Sequence, residues 1–331
     1  MKTYKLALVG ATGLVGRTVI KVLEEKKLPI EQYSFFASEK SANSKIDFMG
    51  REYIVRKLDE NSFNSGYDFA IFCAGGEVSK KYAPIAASLG CIVIDNSSVF
   101  RMDDNVPLVV PEVNPEDIFK HNGIIANPNC STIQAVVALK PLDDRYKIKR
   151  IVYSTYQAVS GAGQKGVLDL ENTLKGLSNE KFPYPIANNC LPHIDVFMDN
   201  GYTKEEMKMI NETKKILHNP NLKITATTVR VPVLNSHSES INVEFEEAFD
   251  INELREKLRN SPSVILEDDI YNNIYPLATN ATGSDNVFVG RIRRDYSVVS
   301  GINMWVVADN VRKGAASNAI QIMKEIINKE P

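Results

Sequence analysis

Apolar residues repeat with two different periods along this chain. In the first third, short apolar strands alternate with helical segments: Lys5 to Val9 precedes Leu14 to Glu25, and Tyr67 to Ala74 precedes Ser79 to Leu89. Further strands are predicted over Tyr33 to Ala37 and Cys91 to Asn96, with a small hairpin around Gly50. This order indicates βαβ units, and therefore a Rossmann-type parallel sheet with helices on its faces.

Beyond Pro141 the strands alternate apolar and polar residues, which is typical of a sheet with one buried face. The predicted strands are Ile151 to Gln157, Lys223 to Val233, Ile241 to Glu247, Val287 to Arg293 and Asn303 to Val307. The predicted helices are Gln164 to Lys175, Thr203 to Leu217, Ile251 to Leu258 and Gly314 to Lys329. The pattern indicates a second, α+β domain with a mostly antiparallel sheet.

A chain of 331 residues is long enough for two hydrophobic cores. We expect an α/β dinucleotide-binding domain over residues 1–128, completed by the C-terminal helix 312–331. Residues 129–311 are expected to form the second domain.

Composition narrows the possible partners. Hydrophobic residues make up 44% and charged residues 24%, the net charge is −2, and no basic or acidic block occurs. Nucleic acid and membrane surfaces are therefore not expected as partners. The four cysteines are scattered without a CxxC pair and the four histidines lack paired spacing. These features favour a reducing, cytoplasmic location and argue against a metal site.

A glycine-rich turn, Gly10-Ala11-Thr12-Gly13-Leu14-Val15-Gly16, follows the first predicted strand and opens a helix. In this context such a turn binds a dinucleotide pyrophosphate. The G-x-x-G-x-x-G spacing also fits a plain tight βα turn. After the second strand, Ser38, Lys40 and Ser41 favour the 2′-phosphate of NADP, whereas Glu39 would suit the ribose diol of NAD.

Cys130 lies in Asn127-Pro128-Asn129-Cys130-Ser131-Thr132, before an apolar helical run that Pro141 is expected to end. Asn129 can cap this helix. A cysteine at a helix N-terminus is favoured as a thiolate and is close to an anion-binding position. The alternative is a small buried cysteine in the core.

Other polar residues accompany predicted strands and helices. Gln157 ends a strand and precedes a small-residue loop, 158–163, that would allow close approach of a ligand. His237 follows a segment rich in polar groups, although a lone histidine is often structural. Arg101 is a candidate anion ligand or a surface residue. Glu205 and Lys208 are one helical turn apart, which also fits an ordinary surface pair.

Together these segments resemble aspartate-β-semialdehyde dehydrogenases from about residue 4 to the C-terminus, and most closely those of Gram-positive bacteria. Besides the turn, the cofactor loop and the Cys130 segment, matching blocks are 109–114, 156–163, 230–233, 237–239, 288–291, 309–310 and 313–316. Two departures fall in the cofactor loop, where Lys40 replaces the usual arginine and Asn43 the usual glycine.

The resemblance implies roles for individual residues. Cys130 is the nucleophile, Gln157 orients the substrate and His237 is the acid/base. Arg230 binds the substrate carboxylate and Glu205 its amino group, while Arg101, Lys208 and Asn129 bind phosphate. The implied NADP contacts are Gly10, Thr12, Gly13, Leu14, Val15, Ser38, Lys40, Ser41, Ser160, Gly161 and Asn310.

The implied reaction is NADPH-dependent reductive dephosphorylation of aspartyl phosphate to aspartate semialdehyde through a Cys130 thioester. It belongs to the pathway to lysine, diaminopimelate, threonine, methionine and isoleucine, and the implied assembly is a homodimer formed by the catalytic domain. Three alternatives remain: an N-acetyl-γ-glutamyl-phosphate reductase, a non-catalytic dinucleotide-binding paralogue, and an interaction module on a Rossmann scaffold. Glu205 disfavours the first, because an acetylated nitrogen carries no charge for it.

Overall fold

The computed structural model describes residues 2–329. The chain divides into two compact units, Met1–Pro128 with Ala315–Pro331, and Asn129–Gly314. Among residues 2–329, no helix combines the length and the apolar character that crossing a bilayer requires.

The bounds of the regular elements follow in chain order. The strands are β1 Tyr4–Val9, β2 Ile30–Ala37, β3 Lys45–Phe48, β4 Arg51–Ile54, β5 Arg56–Lys57, β6 Phe69–Phe72, β7 Ile92–Asp95, β8 Ile124–Ala126, β9 Ile148–Gln157, β10 Lys223–Arg230, β11 His237–Phe245, β12 Val264–Leu266, β13 Val287–Arg294 and β14 Gly301–Ala308. The helices are α1 Leu14–Lys26, α2 Gly76–Ser88, α3 Cys130–Tyr146, α4 Gln164–Leu174, α5 Lys204–Ile216, α6 Ile251–Arg259, α7 Ala278–Ala281 and α8 Asn318–Lys329.

The first unit contains a six-stranded sheet in the order β5-β2-β1-β6-β7-β8, and every pair in it is parallel. All four residues of β6 are buried, as expected for a strand covered on both faces. The predicted hairpin around Gly50 is formed by β3 and β4. Helix α8 packs into the core of this unit, where Ile320, Met323 and Ile326 join Leu6 and Phe35.

The second unit contains a mixed sheet in the order β10-β9-β11-β14-β13-β12. The three central pairs are antiparallel, and the pairs at the two ends, β10 with β9 and β12 with β13, are parallel. β11 alternates buried and half-buried residues from His237 to Phe245. This sheet confirms the mostly antiparallel prediction for the second domain.

Several sequence-based boundaries were wrong, and two of them have a clear physical reason. Pro141 does not end the helix, because α3 continues to Tyr146. Proline removes one N–H bond from a helix, but Leu139, Leu142 and Tyr146 on either side are fully buried, and that burial outweighs the loss. The strand predicted from Ile241 begins four residues earlier, at His237, since paired main chain overrides the polar composition of its first residues.

Candidate active site

Cys130 is the first residue of α3 and is half-buried. The prediction that Asn129 caps this helix is confirmed: its Oδ1 accepts hydrogen bonds from the backbone N–H groups of Ser131, at 3.0 Å, and Thr132, at 3.3 Å. A Cβ atom at Gly314 would lie 2.7 Å from the Cβ of Cys130. Only glycine therefore fits beside this cysteine.

The residues on either side of Cys130 are tied to two predicted substrate ligands. The Asn129 side-chain Nδ2 donates to Glu205 at 2.8 Å. Gln157, at the end of β9, donates from Nε2 to Ser131 Oγ at 2.7 Å and to Glu205 at 3.3 Å. Both N–H groups of the Gln157 amide are thus engaged, and this fixes which side of the amide presents its oxygen.

Glu205 is ionised although it is buried. Burial opposes its charge, but the neighbouring Lys208, the hydrogen bond from Asn129 and the charge of Arg230 outweigh this and lower its pKa to about 2. Lys208 donates to Glu205 at 3.0 Å and to Asp195 at 2.8 Å. Burial lowers the pKa of Lys208, yet these two carboxylates raise it overall, so the pair remains charged near neutrality.

Arg230, the last residue of β10, is almost completely buried. Its Nη1 donates to the Ala158 carbonyl at 2.6 Å. Its Nε has no hydrogen-bond partner within the described part of the chain. Burial lowers the pKa of the guanidinium, while Glu205 and Cys130 act in the opposite direction. A buried cation with an unused donor is suited to an incoming carboxylate.

His237 begins β11 and is fully buried. Its Nδ1 accepts a hydrogen bond from the Ala158 backbone N–H at 3.0 Å. Its Nε2 lacks a partner among residues 2–329. Burial, with the charge of Arg230, lowers its pKa to about 3. The neutral ring therefore carries its proton on Nε2, which is available as a donor.

The loop after β9 lies against both of these side chains. A Cβ atom on Gly161 would come within 2.9 Å of Arg230 Nη1 and 3.1 Å of His237 Nε2. Next to it, Ser160 Oγ and Asn310 Nδ2 are 3.0 Å apart, and Asn310 Oδ1 accepts the Ser236 backbone N–H at 2.9 Å. Three predicted cofactor residues, Ser160, Gly161 and Asn310, thus adjoin the predicted catalytic residues.

Sequence reasoning missed two buried acids at this site. Glu212 accepts the Asn129 backbone N–H at 2.6 Å. It follows Glu205 by seven residues, and this helical spacing of acids was an available signal. Glu239 faces Ser131 and Gln134, but neither of its oxygens has a well-aligned partner among the described residues. Burial raises its pKa well above the ordinary value, which favours the protonated form.

In the first unit, Arg101 is buried and fixed by main-chain carbonyls. Its Nε donates to Asn127 and its Nη2 to Asn96, each at 2.9 Å. It is therefore not the freely solvated surface arginine of the alternative interpretation.

The glycine-rich turn has the geometry that a pyrophosphate requires. Gly10 has φ +87°, and a Cβ there would lie 2.7 Å from the Cys73 backbone; a Cβ on Gly16 would lie 2.1 Å from the Gly10 carbonyl. Gly13 precedes α1, with no side-chain cap and no acidic residue in the first turn. A helix start without a side-chain cap or a first-turn acid fits a dinucleotide phosphate.

The residues predicted to recognise the 2′-phosphate follow β2, beside this turn. Gly10 and Ala11 donate backbone N–H bonds to Phe36 of β2 at 2.8 and 3.1 Å. A 3-10 turn then spans Glu39–Ser41. Glu39 is paired with Lys57 at 3.0 Å, which leaves Lys40 as the residue of this turn suited to a phosphate.

The structure thus groups the predicted residues within each unit. In the second unit, one connected cluster contains Asn129, Cys130, Gln157, Glu205, Lys208, Arg230 and His237, with Ser160, Gly161 and Asn310 beside it. In the first unit, the glycine turn adjoins the 38–41 turn.

Comparison with known families gives the class of this protein. The semialdehyde dehydrogenase NAD binding domain matches residues 5–121, and the semialdehyde dehydrogenase dimerisation domain matches residues 139–313. This protein is thus a semialdehyde dehydrogenase by class. Its parallel-sheet unit matches the NAD binding domain, and its mixed-sheet unit, with a cysteine at a helix start, matches the dimerisation domain.

Individual relatives narrow the class. Aspartate-semialdehyde dehydrogenase from Aquifex aeolicus is 56% identical, over 99% of this chain and 98% of its own. The Campylobacter jejuni enzyme is 50% identical over 98% and 97%, and the Bacillus subtilis enzyme 46% over 97% and 96%. This chain belongs to the aspartate-semialdehyde dehydrogenase family.

Solved structures agree in fold over the whole chain. Aspartate semialdehyde dehydrogenase II from Vibrio cholerae, complexed with ASA, has a TM-score of 0.95 and 46% identity over 100% of both chains. The Candida albicans enzyme with NADP has a TM-score of 0.79 and 25% identity, over 98% of this chain and 99% of its own.

Proposed function

We propose that this protein catalyses the NADPH-dependent, reversible reductive dephosphorylation of L-aspartyl-4-phosphate to L-aspartate-4-semialdehyde. This step leads to lysine and diaminopimelate, threonine, methionine and isoleucine. The observation that carries the proposal is the linkage of Cys130, through its neighbours Asn129 and Ser131, to Gln157 and Glu205. Family membership supports the same reaction.

Two buried charges recognise the amino acid part of the substrate. The Arg230 guanidinium, with its unused Nε donor, binds the α-carboxylate. Glu205, whose pKa is lowered to about 2, binds the α-ammonium group. Opposite charges on the same buried wall orient a zwitterion, and they hold its acyl carbon in one place.

Cys130 is the nucleophile. Its thiolate attacks the acyl carbon, the bond from that carbon to the phosphate oxygen breaks, and a thioester remains. The helix start and the Arg230 charge favour the thiolate. Sulfur suits the reaction because it attacks readily and later leaves readily.

Gln157 orients the substrate, and His237 acts on its acyl oxygen. Gln157 is held in a single orientation by its two donated bonds, and it orients the substrate. The Nε2–H of neutral His237 stabilises negative charge as it develops on the oxygen. Binding of the substrate anions raises the pKa of His237. Once the ring is protonated at Nδ1, which breaks its bond to Ala158, Nε2 gives its proton to that oxygen and takes it back as the carbon–sulfur bond breaks.

The leaving phosphate requires cations. We assign it to Arg101, which main-chain carbonyls hold in place, and to Lys208, whose ammonium is already charged. Asn129 contributes at the helix start. A dianion is bound more strongly by two fixed cations than by one.

When bound, NADPH supplies the hydride that reduces the acyl carbon. The residues assigned to its phosphates are those of the turn 10–15, with Lys40, Ser38 and Ser41 at the 2′-phosphate. Ser160, Gly161 and Asn310 are assigned to the nicotinamide half. The Candida relative with NADP and the pairing of Glu39 with Lys57 support NADP over NAD.

We further propose that the unit containing residues 1–128 and 315–331 binds the cofactor, and that residues 129–314 form the catalytic and dimerisation domain of a cytoplasmic homodimer. The match of residues 139–313 to a dimerisation domain supports this assembly. A narrower likeness to Gram-positive enzymes has no support, since the Aquifex and Campylobacter relatives are more similar than that from Bacillus.

One assay tests the proposal. The purified protein should reduce NADP in the presence of both aspartate semialdehyde and phosphate, and little without either. N-acetylglutamate semialdehyde should be a poor substrate, because Glu205 would face an uncharged amide. The same assay is run with NAD in place of NADP to compare the two cofactors. Preference for the acetylated aldehyde would assign the protein to the alternative reductase activity.

A further inference from the structure

Residues 179–191 follow α4 and contain no helix or strand, yet they are firmly attached to α4. We call this segment the strap. Asp169 of α4 is almost completely buried. Its carboxylate accepts backbone N–H bonds from Glu180, Lys181 and Phe182, each at 2.8 Å. Burial raises the pKa of Asp169, but these three bonds lower it overall. One carboxylate therefore fixes the first part of the strap.

The second half of the strap is attached independently. The Ala187 backbone N–H donates to Thr173 Oγ1 at 3.2 Å. Ile186 and Leu191 are buried against Val159 and Leu170. Both ends of the strap are thus held by the second unit, although most of its side chains are exposed.

The strap contacts Arg230 in two ways. Leu191 and Arg230 exchange two main-chain hydrogen bonds, both 2.8 Å long. The Phe182 ring centroid is 5.8 Å from the guanidinium carbon. The Ala158 carbonyl accepts from Nη1. The guanidinium therefore has a carbonyl and an aromatic ring as fixed neighbours, and a desolvated cation beside a ring is stabilised there.

We propose that Asp169 and Phe182 are positioning residues that set the place of the Arg230 guanidinium, and thereby the length of substrate that the site accepts. This rests on the proposed function, in which Arg230 binds the carboxylate and Cys130 attacks the acyl carbon. The distance between these two groups selects a four-carbon substrate over a longer one. A strap that releases Phe182 lets the guanidinium move and weakens this selection.

Alkylation of Cys130 tests the proposal without turnover. Iodoacetate carries a carboxylate for Arg230 and iodoacetamide does not, so the ratio of their rates reports where the guanidinium lies. The rates are followed on the Cys130 peptide by mass spectrometry, in a Cys190→Ser background because Cys190 is exposed. Phe182→Leu should lower the ratio about three- to tenfold, with the iodoacetamide rate unchanged.

Matched variants separate positioning from general damage. Phe182→Tyr keeps the aromatic face and should keep the ratio. Tyr184→Leu makes a comparable change at an exposed strap residue, and should also keep it. Asp169→Asn leaves at most one acceptor for three N–H groups, and should lower the ratio, whereas Glu171→Gln on the exposed side of α4 should not. If Asp169→Asn does not fold, the Phe182 variants decide.

Steady-state kinetics complete the test. Phe182→Leu should raise KM for aspartate semialdehyde, with KM for phosphate and NADP unchanged. A ratio equal to wild type in Phe182→Leu, an equal loss with both reagents, or the same loss in Tyr184→Leu would overturn the proposal. Absence of aldehyde- and phosphate-dependent NADP reduction in the wild type would instead refute the proposed function, and the alkylation ratio would still decide whether the strap positions Arg230.

Discussion

His237 Nδ1 accepts a hydrogen bond from the Ala158 backbone N–H at 3.0 Å. This single bond places the proton of the neutral ring on Nε2, the nitrogen proposed to face the substrate. Asparagine can reproduce the Nδ1 acceptor but has no atom at Nε2. His237→Asn should therefore fold normally and lose kcat by about 10²- to 10⁴-fold. Steady-state kinetics measure the loss.

The same variant should still react with an alkylating reagent at Cys130, because the thiolate is stabilised by the helix start and Arg230. An unchanged kcat would show that His237 has only a structural role. Loss of both alkylation and turnover would show that His237 is needed to generate the thiolate.

Cys130→Ala should abolish turnover and leave NADPH binding nearly intact, since the proposed cofactor contacts lie elsewhere. Fluorescence titration with NADPH and activity measurements on the same preparation provide the comparison. Cys190→Ser is the matched control, because Cys190 is exposed and has no proposed role. Substantial turnover by a folded Cys130→Ala protein would exclude the covalent mechanism.

Arg230→Lys should be severely impaired although it keeps the positive charge. An ammonium cannot hold the Ala158 carbonyl, the Phe182 ring and a bidentate carboxylate at once, as the planar guanidinium can. We expect kcat to fall and KM for the aldehyde to rise, with NADP affinity unchanged. A wild-type kcat with a modest rise in KM would show that another residue holds the carboxylate.

Lys40→Ala should raise KM for NADP and barely affect KM for NAD, because the 2′-phosphate is the only part of the cofactor that distinguishes the two. Lys57→Ala is a useful companion, since it frees Glu39 from its ion pair and should disfavour NADP indirectly. Equal losses with both cofactors in Lys40→Ala would mean that this lysine supports the turn and does not recognise the phosphate.

Glu239→Gln should change how stability depends on pH. Burial raises the pKa of Glu239 in the folded state well above the 4.5 of an ordinary glutamate. The unfolded chain therefore loses this proton first as pH rises, and wild-type stability falls above about pH 4.5. The slope reaches at most about 1.4 kcal/mol per pH unit. Glutamine has no such proton.

Chemical denaturation between about pH 5 and about pH 8 measures this effect. The free energy of unfolding of Glu239→Gln should rise relative to wild type across that range. Glu244 lies on the same strand and pairs with Lys149 near solvent. Glu244→Gln should show no comparable trend. A constant difference between Glu239→Gln and wild type would mean that Glu239 is ionised in the folded protein.

The sequence predicted most of the fold because its elements have strong local signals. Helix α1 ends one residue from its predicted bound, and α4 ends one residue early. Strands β8 and β12, of three residues each, were missed, since so short a run has no readable period. Pro141 and the start of β11 were misjudged because packing of distant residues decided both.

The site residues, like the fold, were predictable only where the signal is local in sequence. Cys130, its cap Asn129 and the glycine turn were recognisable from local patterns. The partners that give them their properties were not, because they are far apart in sequence: Glu212 reaches Asn129 across 83 residues, and Ala158 reaches His237 across 79. Glu239 and Asp169 resemble surface acids until burial is known.

A small chemical change at Asn129 would disrupt the active site. Its amide donates to an ionised Glu205 at 2.8 Å, and its backbone N–H faces Glu212 at 2.6 Å. Deamidation replaces one NH₂ by an oxygen and hardly changes the shape, yet it would set a second carboxylate against Glu205. The helix start opposes this reaction at Asn129, since a held main chain cannot readily reach the cyclic intermediate of deamidation.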